Sequence, residues 1–221
     1  MISWMTNPQH WTGSDGIGLL IGQHLLYSAI ALAIAVVIGF PIGLYVGHTR
    51  RGVIMVAGTA NALRSLPSLG LIVMLVILFG PVFKSDLAYM VPCLIVLVLL
   101  AVPPIMTNTY AGIAAVDPAS VDAARGMGYS PLGVLLHVEL PCALPLIFSG
   151  LRSAALQVIS TATIAAYVSL GGLGRLIIDG LAQRDYYEMV AGAMLVGILT
   201  LIVDFTIALA SRLTLSRGLV R

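Results

Sequence analysis

Charged residues are scarce in this sequence. Only 9% of the 221 residues are Asp, Glu, Lys or Arg, whereas 59% are hydrophobic. A soluble domain carries about 25% charged residues, so 11 basic and 9 acidic residues are too few to cover a water-soluble surface. The composition therefore predicts an all-α polytopic membrane protein. The net charge of +2 is too small to indicate binding to nucleic acid.

Residues that support metal, redox or nucleotide chemistry are scarce as well. The two cysteines, Cys93 and Cys142, stand far apart and are expected to pack as small apolar residues. Lys84 is the only lysine, and no Gly-x-x-x-x-Gly-Lys-Ser/Thr phosphate loop is present. The four histidines lie in different segments, and no Ser/His/Asp or Cys/His grouping occurs. We therefore expect no catalytic residue, no metal and no cofactor. The first 18 residues also lack the basic region of a cleavable signal peptide.

Long apolar runs take the place of the missing charges. A bilayer crossing needs about 20 helical residues, and five runs are long enough, at about 19–47, 53–80, 87–107, 143–168 and 188–211. The second run is interrupted at Arg64-Ser65-Leu66-Pro67-Ser68, where Pro67 predicts a bend. Its first half, 53–64, is either part of a kinked span or an extension into the cytoplasm.

Two patterns inside the runs predict how the helices pack. Small residues four apart allow close helix contact in lipid, and the first run carries them at Gly39, Gly43 and Gly47. Charges inside a membrane are costly, and Arg152 and Asp204 stand at plausible depths in the fourth and fifth runs. We expect these two residues to form an ion pair.

Basic residues predict the orientation, because they are more frequent in cytoplasmic loops. With five spans, the first loop, the third loop and the C-terminal tail lie on the same side of the membrane. These segments carry six basic residues, whereas the segments on the other side carry three. The N-terminus is therefore expected outside and the C-terminus in the cytoplasm. The six are Arg50, Arg51, Arg125, Arg212, Arg217 and Arg221, and the three are Lys84, Arg175 and Arg184.

The third loop, at about 108–142, contains a short polar helix. Asp117 suits the N-cap and Pro118 the first helical position, and Gly126 and Gly128 are expected to end the helix. Its small residues would let a partner approach closely, at Ala123, Ala124 and Gly128. From spacing alone, an ordinary interfacial helix and a partner-binding helix are equally compatible with this segment.

A longer pattern in this loop resembles a known signature. Permease subunits of bacterial ATP-binding-cassette (ABC) importers carry E-A-A, three residues, Gly, nine residues and I-x-L-P. Here the same spacing gives Asp122-Ala123-Ala124, Gly128 and Val138-Glu139-Leu140-Pro141, with Asp for Glu and Val for Ile. The chain is also similar, over about 15–212, to permeases for glycine betaine, carnitine and choline. The stretches that carry this second similarity are 64–68, 108–113, 123–128 and 171–174.

The resemblance implies a type I ABC importer permease fold with a cytoplasmic coupling helix at about 118–128. It implies a multi-pass protein of the bacterial cell membrane that works with cytoplasmic ATPase subunits, a second permease, identical or paralogous, and an extracytoplasmic substrate-binding protein. The expected regions are an extracytoplasmic segment 1–18, a transmembrane permease domain 19–212 and a cytoplasmic tail 213–221. The expected ATPase-coupling residues are Asp122, Ala123, Ala124, Arg125, Gly126, Gly128 and Pro141.

Two alternatives stay open at this point. The same kind of permease could carry another small solute, such as an amino acid or a sulfonate. An ion-driven carrier or a small membrane enzyme that works alone is the third hypothesis. The sequence shows neither the repeated halves nor the acidic relay of a carrier, and no group of polar catalytic residues that an enzyme would need. Candidate pathway or gate residues are Arg64, Pro67, Tyr110, Tyr167, Gly171, Gly172 and Gly174.

Overall fold

The computed structural model describes residues 2–13, 15–83 and 85–214, and every regular element in these ranges is helical. Lys84, Arg217 and Arg221, which contribute to the predicted orientation, and most of the predicted tail 213–221 lie outside the described residues. The α-helices are α1 (Ile2–Met5), α2 (Ile17–Thr49), α3 (Val53–Arg64), α4 (Ser68–Phe79), α5 (Leu87–Ala114), α6 (Pro118–Gly126), α7 (Pro131–Val134), α8 (Leu140–Ala162), α9 (Gly174–Gln183) and α10 (Tyr186–Thr214).

Three further helical turns lie within the described ranges. Two are 3-10 turns, Pro8–His10 and Thr163–Val168, and one is a π-helical turn, Leu135–Glu139. The π-helical turn joins α7 to α8, so that one helical rod of 38 residues runs from Pro131 to Val168.

Among the described residues, four helices are long and apolar enough to cross a membrane, and a bent pair of shorter helices brings the number to five if the pair forms one span. The pair consists of α3 and α4, which meet at 84° across Ser65, Leu66 and Pro67. The bend predicted at Pro67 is therefore confirmed. It arises because proline has no N–H to donate and disfavours helical backbone in the residue before it.

The start of the fourth span differs from the sequence prediction. The sequence predicted the fourth apolar run from about residue 143, whereas the helical rod that contains it begins at Pro131. Within a regular α-helix the Pro141 ring would clash with the carbonyl of His137. The π-helical turn before it widens the helix at this place, which accommodates the ring.

Helix α5 lies at the centre of the bundle and packs against α2, α3, α4 and α8. Its contact with α2 is close, since α2 presents glycines to it. A Cβ added at Gly43 would lie only 2.6 Å from the Thr109 Cβ, and one added at Gly47 would lie 2.6 Å from the Ile113 Cβ. The predicted packing role of the glycine pattern is thus confirmed. The core between α2, α5 and α8 is made of Ala31, Ala35, Leu97, Ala101, Ala154 and Val158.

An ion pair joins α8 to α10. The Arg152 guanidinium donates to both carboxylate oxygens of Asp204, with Nε–Oδ1 and Nη2–Oδ2 distances of 2.8 and 2.7 Å. The predicted pair is confirmed, and each charge neutralises the other inside the apolar helices.

The two cysteines are free: Cys93 is buried as expected, whereas Cys142 is exposed and does not pack into the core.

The two ends of the bundle carry different structures. At one end, His24 of α2 hydrogen-bonds through Nε2 to the Ile159 carbonyl, and the glycine loop 171–174 packs beside it. At the other end, α6 connects α5 to the rod that begins at Pro131. We call these the loop end and the α6 end.

Candidate functional site

Helix α6 is fixed at both ends by local hydrogen bonds. The Asp117 Oδ1 accepts from the Ala119 N–H at 3.0 Å, which is the predicted N-cap. At the other end Gly128 adopts φ = +88°, the Tyr129 N–H donates to the Ala124 carbonyl and the Gly128 N–H donates to the Arg125 carbonyl. This Schellman arrangement requires left-handed backbone at Gly128, so the predicted helix end is confirmed.

One face of α6 is buried against its own chain. Val121 and Ala124 pack with Val116, Val134 and Val138 in a small apolar cluster. Ala124 is only 1% exposed, so the expectation that it lets a partner approach is corrected. Its methyl group holds α6 against the rod that leads into α8, and a larger side chain would separate them.

The opposite face of α6 is open. Asp122 and Arg125 form a loose pair, 3.6 Å apart, with side chains 74% and 59% exposed, so the pair contributes little to stability. The other expected coupling residues with exposed positions are Ala123, Gly126 and Gly128. Pro141 lies half-buried in α8, beyond the open face.

Large apolar side chains extend this open surface. Met127, Tyr129, Leu132 and Leu136 are 73, 44, 62 and 46% exposed. Exposed apolar residues beside a polar helix are typical of a protein contact surface. The sequence did not mark these four residues as a contact surface, although Met127 and Tyr129 closely follow the helix end at Gly126.

A polar contact ties the α6 end to α2. Glu139, in the π-helical turn, is 4% exposed, and its Oε2 lies 2.5 Å from the His48 Nδ1 near the C-terminus of α2. The two residues are 91 positions apart, and no local pattern predicts their contact. The sequence places the four histidines in different segments and gives no sign of this partner of His48.

The candidate pathway residues do not form one site. Tyr110 is half-buried against Val46, Val56 and Met106, towards the α6 end. Tyr167 is 59% exposed in the 3-10 turn after α8, towards the loop end. The structure thus places these two tyrosines at opposite ends of the bundle.

The glycine loop is tightly packed against α2. The Gly172 N–H donates to the Gln23 Oε1 at 3.0 Å, and Gly172 adopts φ = +98°. A Cβ added at Gly171 would overlap the Gln23 side chain, and one added at Gly174 would overlap the Thr163 carbonyl. Gly171 also borders a cavity of about 380 Å³ at the loop end, lined by Asp15, Gln23, Tyr27, Asp86, Tyr89 and Arg175 among others.

Arg64 and Pro67 lie at the break between α3 and α4. Arg64 is exposed and lines a second cavity, of about 350 Å³, together with Leu100, Pro104, Ser153 and Gln157. A cation placed at the centre of a membrane helix costs about 2.5–3.5 kcal/mol on insertion scales. A water-filled cavity beside Arg64 would reduce that cost.

Comparison with known proteins identifies the family of this chain. Residues 35–220 match the family described as binding-protein-dependent transport system inner membrane component. The chain is 32% identical over 198 residues to a glycine betaine/carnitine/choline transport system permease protein of Bacillus subtilis (strain 168), covering 90% of this chain and 88% of that protein. It is 32% identical over 183 residues to an osmoprotectant import permease protein of Salmonella typhimurium (strain LT2), covering 83% and 84%.

Solved structures share the fold. A chain of the methionine ABC transporter MetNI in an inward-facing conformation matches with a TM-score of 0.78 at 22% identity, covering 98% of this chain and 100% of that one. A chain of an amino acid ABC transporter matches with a TM-score of 0.66 at 17% identity, covering 96% and 95%. The family match and the relatives of similar length lead to one conclusion: the chain belongs to the family of inner-membrane components of binding-protein-dependent transport systems.

Proposed function

We propose that this protein is the permease subunit of an ABC importer and that it forms, with a second permease subunit, the pathway for a small quaternary-ammonium osmoprotectant. The carrying observation is the capped helix α6, which presents an open polar and apolar face at one end of a bundle of spanning helices. Such a face contributes nothing to stability in a bilayer, and it offers a docking surface for a separate motor.

The coupling contact is made by residues of α6 and its C-terminal turn. Asp122, Ala123, Arg125, Gly126 and Gly128 form the docking face, with Met127 beside them. Ala124 and Pro141 act from behind this face, because Ala124 packs α6 against the rod and Pro141 lies within the rod. ATPase closure moves α6, and the rod transmits this movement to the spanning helices.

The subunit has no ATPase site of its own in this proposal. ATP is bound by separate cytoplasmic ATPase subunits, which agrees with the single lysine and the missing phosphate loop. Solute is delivered on the opposite side by an extracytoplasmic binding protein. The pathway residues Arg64, Pro67, Tyr110, Tyr167, Gly171, Gly172 and Gly174 contribute at different depths of the bundle.

The proposed orientation places the N-terminus outside and the C-terminus in the cytoplasm. It follows from the excess of arginine at Arg50, Arg51 and Arg125, and from an odd number of crossings when α3 and α4 make one bent span. Residues 1–18 are then extracytoplasmic, 19–212 form the permease domain and 213–221 form the cytoplasmic tail. The α6 end faces the ATPases, and the loop end faces the binding protein.

The substrate class rests on the relatives, whose names specify glycine betaine, carnitine, choline or osmoprotectants. The test is uptake of labelled glycine betaine into proteoliposomes that contain this chain with its ATPase and binding protein. We expect ATP-dependent uptake that disappears when this chain is omitted. Assembly without uptake of any quaternary-ammonium solute would move the substrate to another class, and failure to assemble with an ATPase would overturn the permease assignment.

A docking variant tests the role of α6 within the same assay. Ala123→Trp places a bulky ring on the open face and is expected to lower uptake at least about tenfold, because it blocks close approach of the ATPase. Leu201→Trp, at an exposed apolar position of α10, is the control and should transport normally. Equal uptake by both variants would contradict the proposed docking face.

A further inference from the structure

The cavity beside Arg64 lies at the middle depth of the bundle. Its apolar wall is formed by Leu100 and Pro104, which are central residues of α5. Its polar wall is formed by Ser153 and Gln157, which lie in the second half of α8. The break between α3 and α4 brings Arg64 to this depth, because α3 ends there rather than continuing across the membrane.

Arg64 is a cation for which the described part of the chain supplies no counter-charge. Among the described residues it makes no ion pair and its side chain makes no hydrogen bond, whereas the other arginine at depth, Arg152, is neutralised by Asp204. The end of α3 offers partial negative charge to Arg64, but no carboxylate. An unpaired charge inside a membrane protein is typical of a functional site.

Among the described residues, no carboxylate of the long helices pairs with Arg64. Asp204 is held by Arg152, and Glu139 is held by His48 at the α6 end. Glu188 lies in the first turn of α10, far along that helix from Asp204. An identical second permease would offer the same carboxylates at the same places, and a solute that carries a carboxylate can supply the counter-charge of Arg64.

The α8 wall supports the same conclusion. Ser153, Gln157 and Ser160 are all exposed, and Ser153 and Gln157 lie one turn apart on one face. Hydroxyl and amide groups gain nothing from contact with lipid tails. They fit a face that borders a hydrated path, where they can donate hydrogen bonds to a passing solute.

We propose that Arg64, together with Ser153 and Gln157, forms a transient binding site for the carboxylate of a zwitterionic quaternary-ammonium solute halfway along the pathway. This inference rests on the proposed function. A guanidinium matches a carboxylate with two parallel hydrogen bonds, and the apolar wall of Leu100 and Pro104 leaves room for the methylated end. Choline, which has no carboxylate, does not use the site.

The experiment compares glycine betaine with choline in the assembled transporter, using a binding protein that delivers both. Arg64→Gln is expected to lower glycine betaine uptake at least about tenfold and to change choline uptake less than about twofold. Arg64→Lys, which keeps the charge but not the paired hydrogen bonds, should fall between Arg64→Gln and the wild type. Arg51→Gln, at an exposed position in the turn between α2 and α3, is the matched control and should leave both rates unchanged.

A second variant covers the case in which Arg64→Gln does not assemble. Gln157→Glu keeps Arg64 and adds a carboxylate to the cavity, so the two side chains pair and glycine betaine uptake falls while choline uptake persists. Unchanged glycine betaine uptake in Arg64→Gln overturns the inference. If Arg64→Gln does not assemble, unchanged glycine betaine uptake in Gln157→Glu overturns it. An equal fall in glycine betaine and choline uptake in an assembled variant complex also overturns it. Absence of both activities in the wild type overturns the proposed function instead.

Discussion

At the scale of single residues, the contact between His48 and Glu139 defines the α6 end. Glu139 is buried in the π-helical turn, and His48 lies in the last turn of α2. The contact fastens the beginning of the rod to α2, so the position of α6 depends on it. A side-chain pair with this role is a positioning pair, because neither residue lies on the open face of α6.

We expect Glu139→Ala to destabilise the subunit by about 1–3 kcal/mol, because it leaves the partly buried His48 ring without its acceptor. Uptake per ATP hydrolysed should fall as well, since α6 is no longer fixed to α2. Thermal unfolding of the purified subunit and the ratio of uptake to ATP hydrolysis measure the two effects. His137→Ala is the control, because His137 lies two residues away but is exposed, with its ring hydrogen-bonded to the Gly133 carbonyl and edge-on to the Tyr129 ring. Equal effects of the two variants would argue against a role for the pair.

At the scale of elements, α6 is shaped by its caps more than by its length. Nine residues form a marginal helix in isolation, so Asp117 at one end and Gly128 at the other hold it in a single conformation. This arrangement explains why a short polar helix persists between two long apolar spans. The two glycines at the end of α6 therefore have different roles: Gly128 forms the cap, whereas Gly126 is the last residue of the helix.

Gly128→Ala and Gly126→Ala form a matched pair. Gly128 adopts φ = +88°, where a Cβ costs about 1–2 kcal/mol, whereas an added Cβ at Gly126, within the helix, would meet open space. We expect faster amide hydrogen exchange over 118–129 for Gly128→Ala only. Gly126→Ala should protect the helix slightly better, since alanine favours helix. Similar exchange in both variants would show that the cap does not control α6.

Much of this element could be predicted from the sequence, because its signals are local. Asp117, Pro118 and Gly128 act on their immediate neighbours, and Pro67 acts on the backbone beside it. The pairing of Glu139 with His48 could not be predicted, because the two residues are 91 positions apart. The inward position of Ala124 depends on how the chain folds back after α6, which brings Val134 and Val138 against it. The Arg152–Asp204 pair was predictable because two charges of opposite sign in apolar spans leave few other partners.

At the scale of the whole molecule, the bundle is organised around α5. The glycines of α2 bring it so close to α5 that side chains of Thr109 and Ile113 occupy the space a Cβ would need. The Arg152–Asp204 pair attaches α10 to α8. The cavity beside Arg64 was beyond sequence prediction, because it is formed by three helices that meet only after the whole bundle has assembled.

Gly43→Ala tests this organisation. Its methyl group would lie 2.6 Å from the Thr109 Cβ and 2.7 Å from the Met106 carbonyl, so α2 and α5 must separate, at a cost of about 1–3 kcal/mol. We expect a lower melting temperature in detergent. Gly22→Ala, in the same helix but with open space around the added atom, is the control. An unchanged melting temperature for Gly43→Ala would show that the bundle adapts without loss.

The unbroken rod from Pro131 to Val168 has a consequence for how the two sides of the membrane communicate. Its 38 residues correspond to about 57 Å at 1.5 Å per residue, which exceeds the hydrocarbon thickness of a bilayer. A shift imposed at α6 therefore reaches the residues just before the glycine loop through one continuous helix. Equilibrium linkage then requires reciprocity: if docking of a protein at one end changes the affinity of the other end for its partner, the reverse change has the same factor.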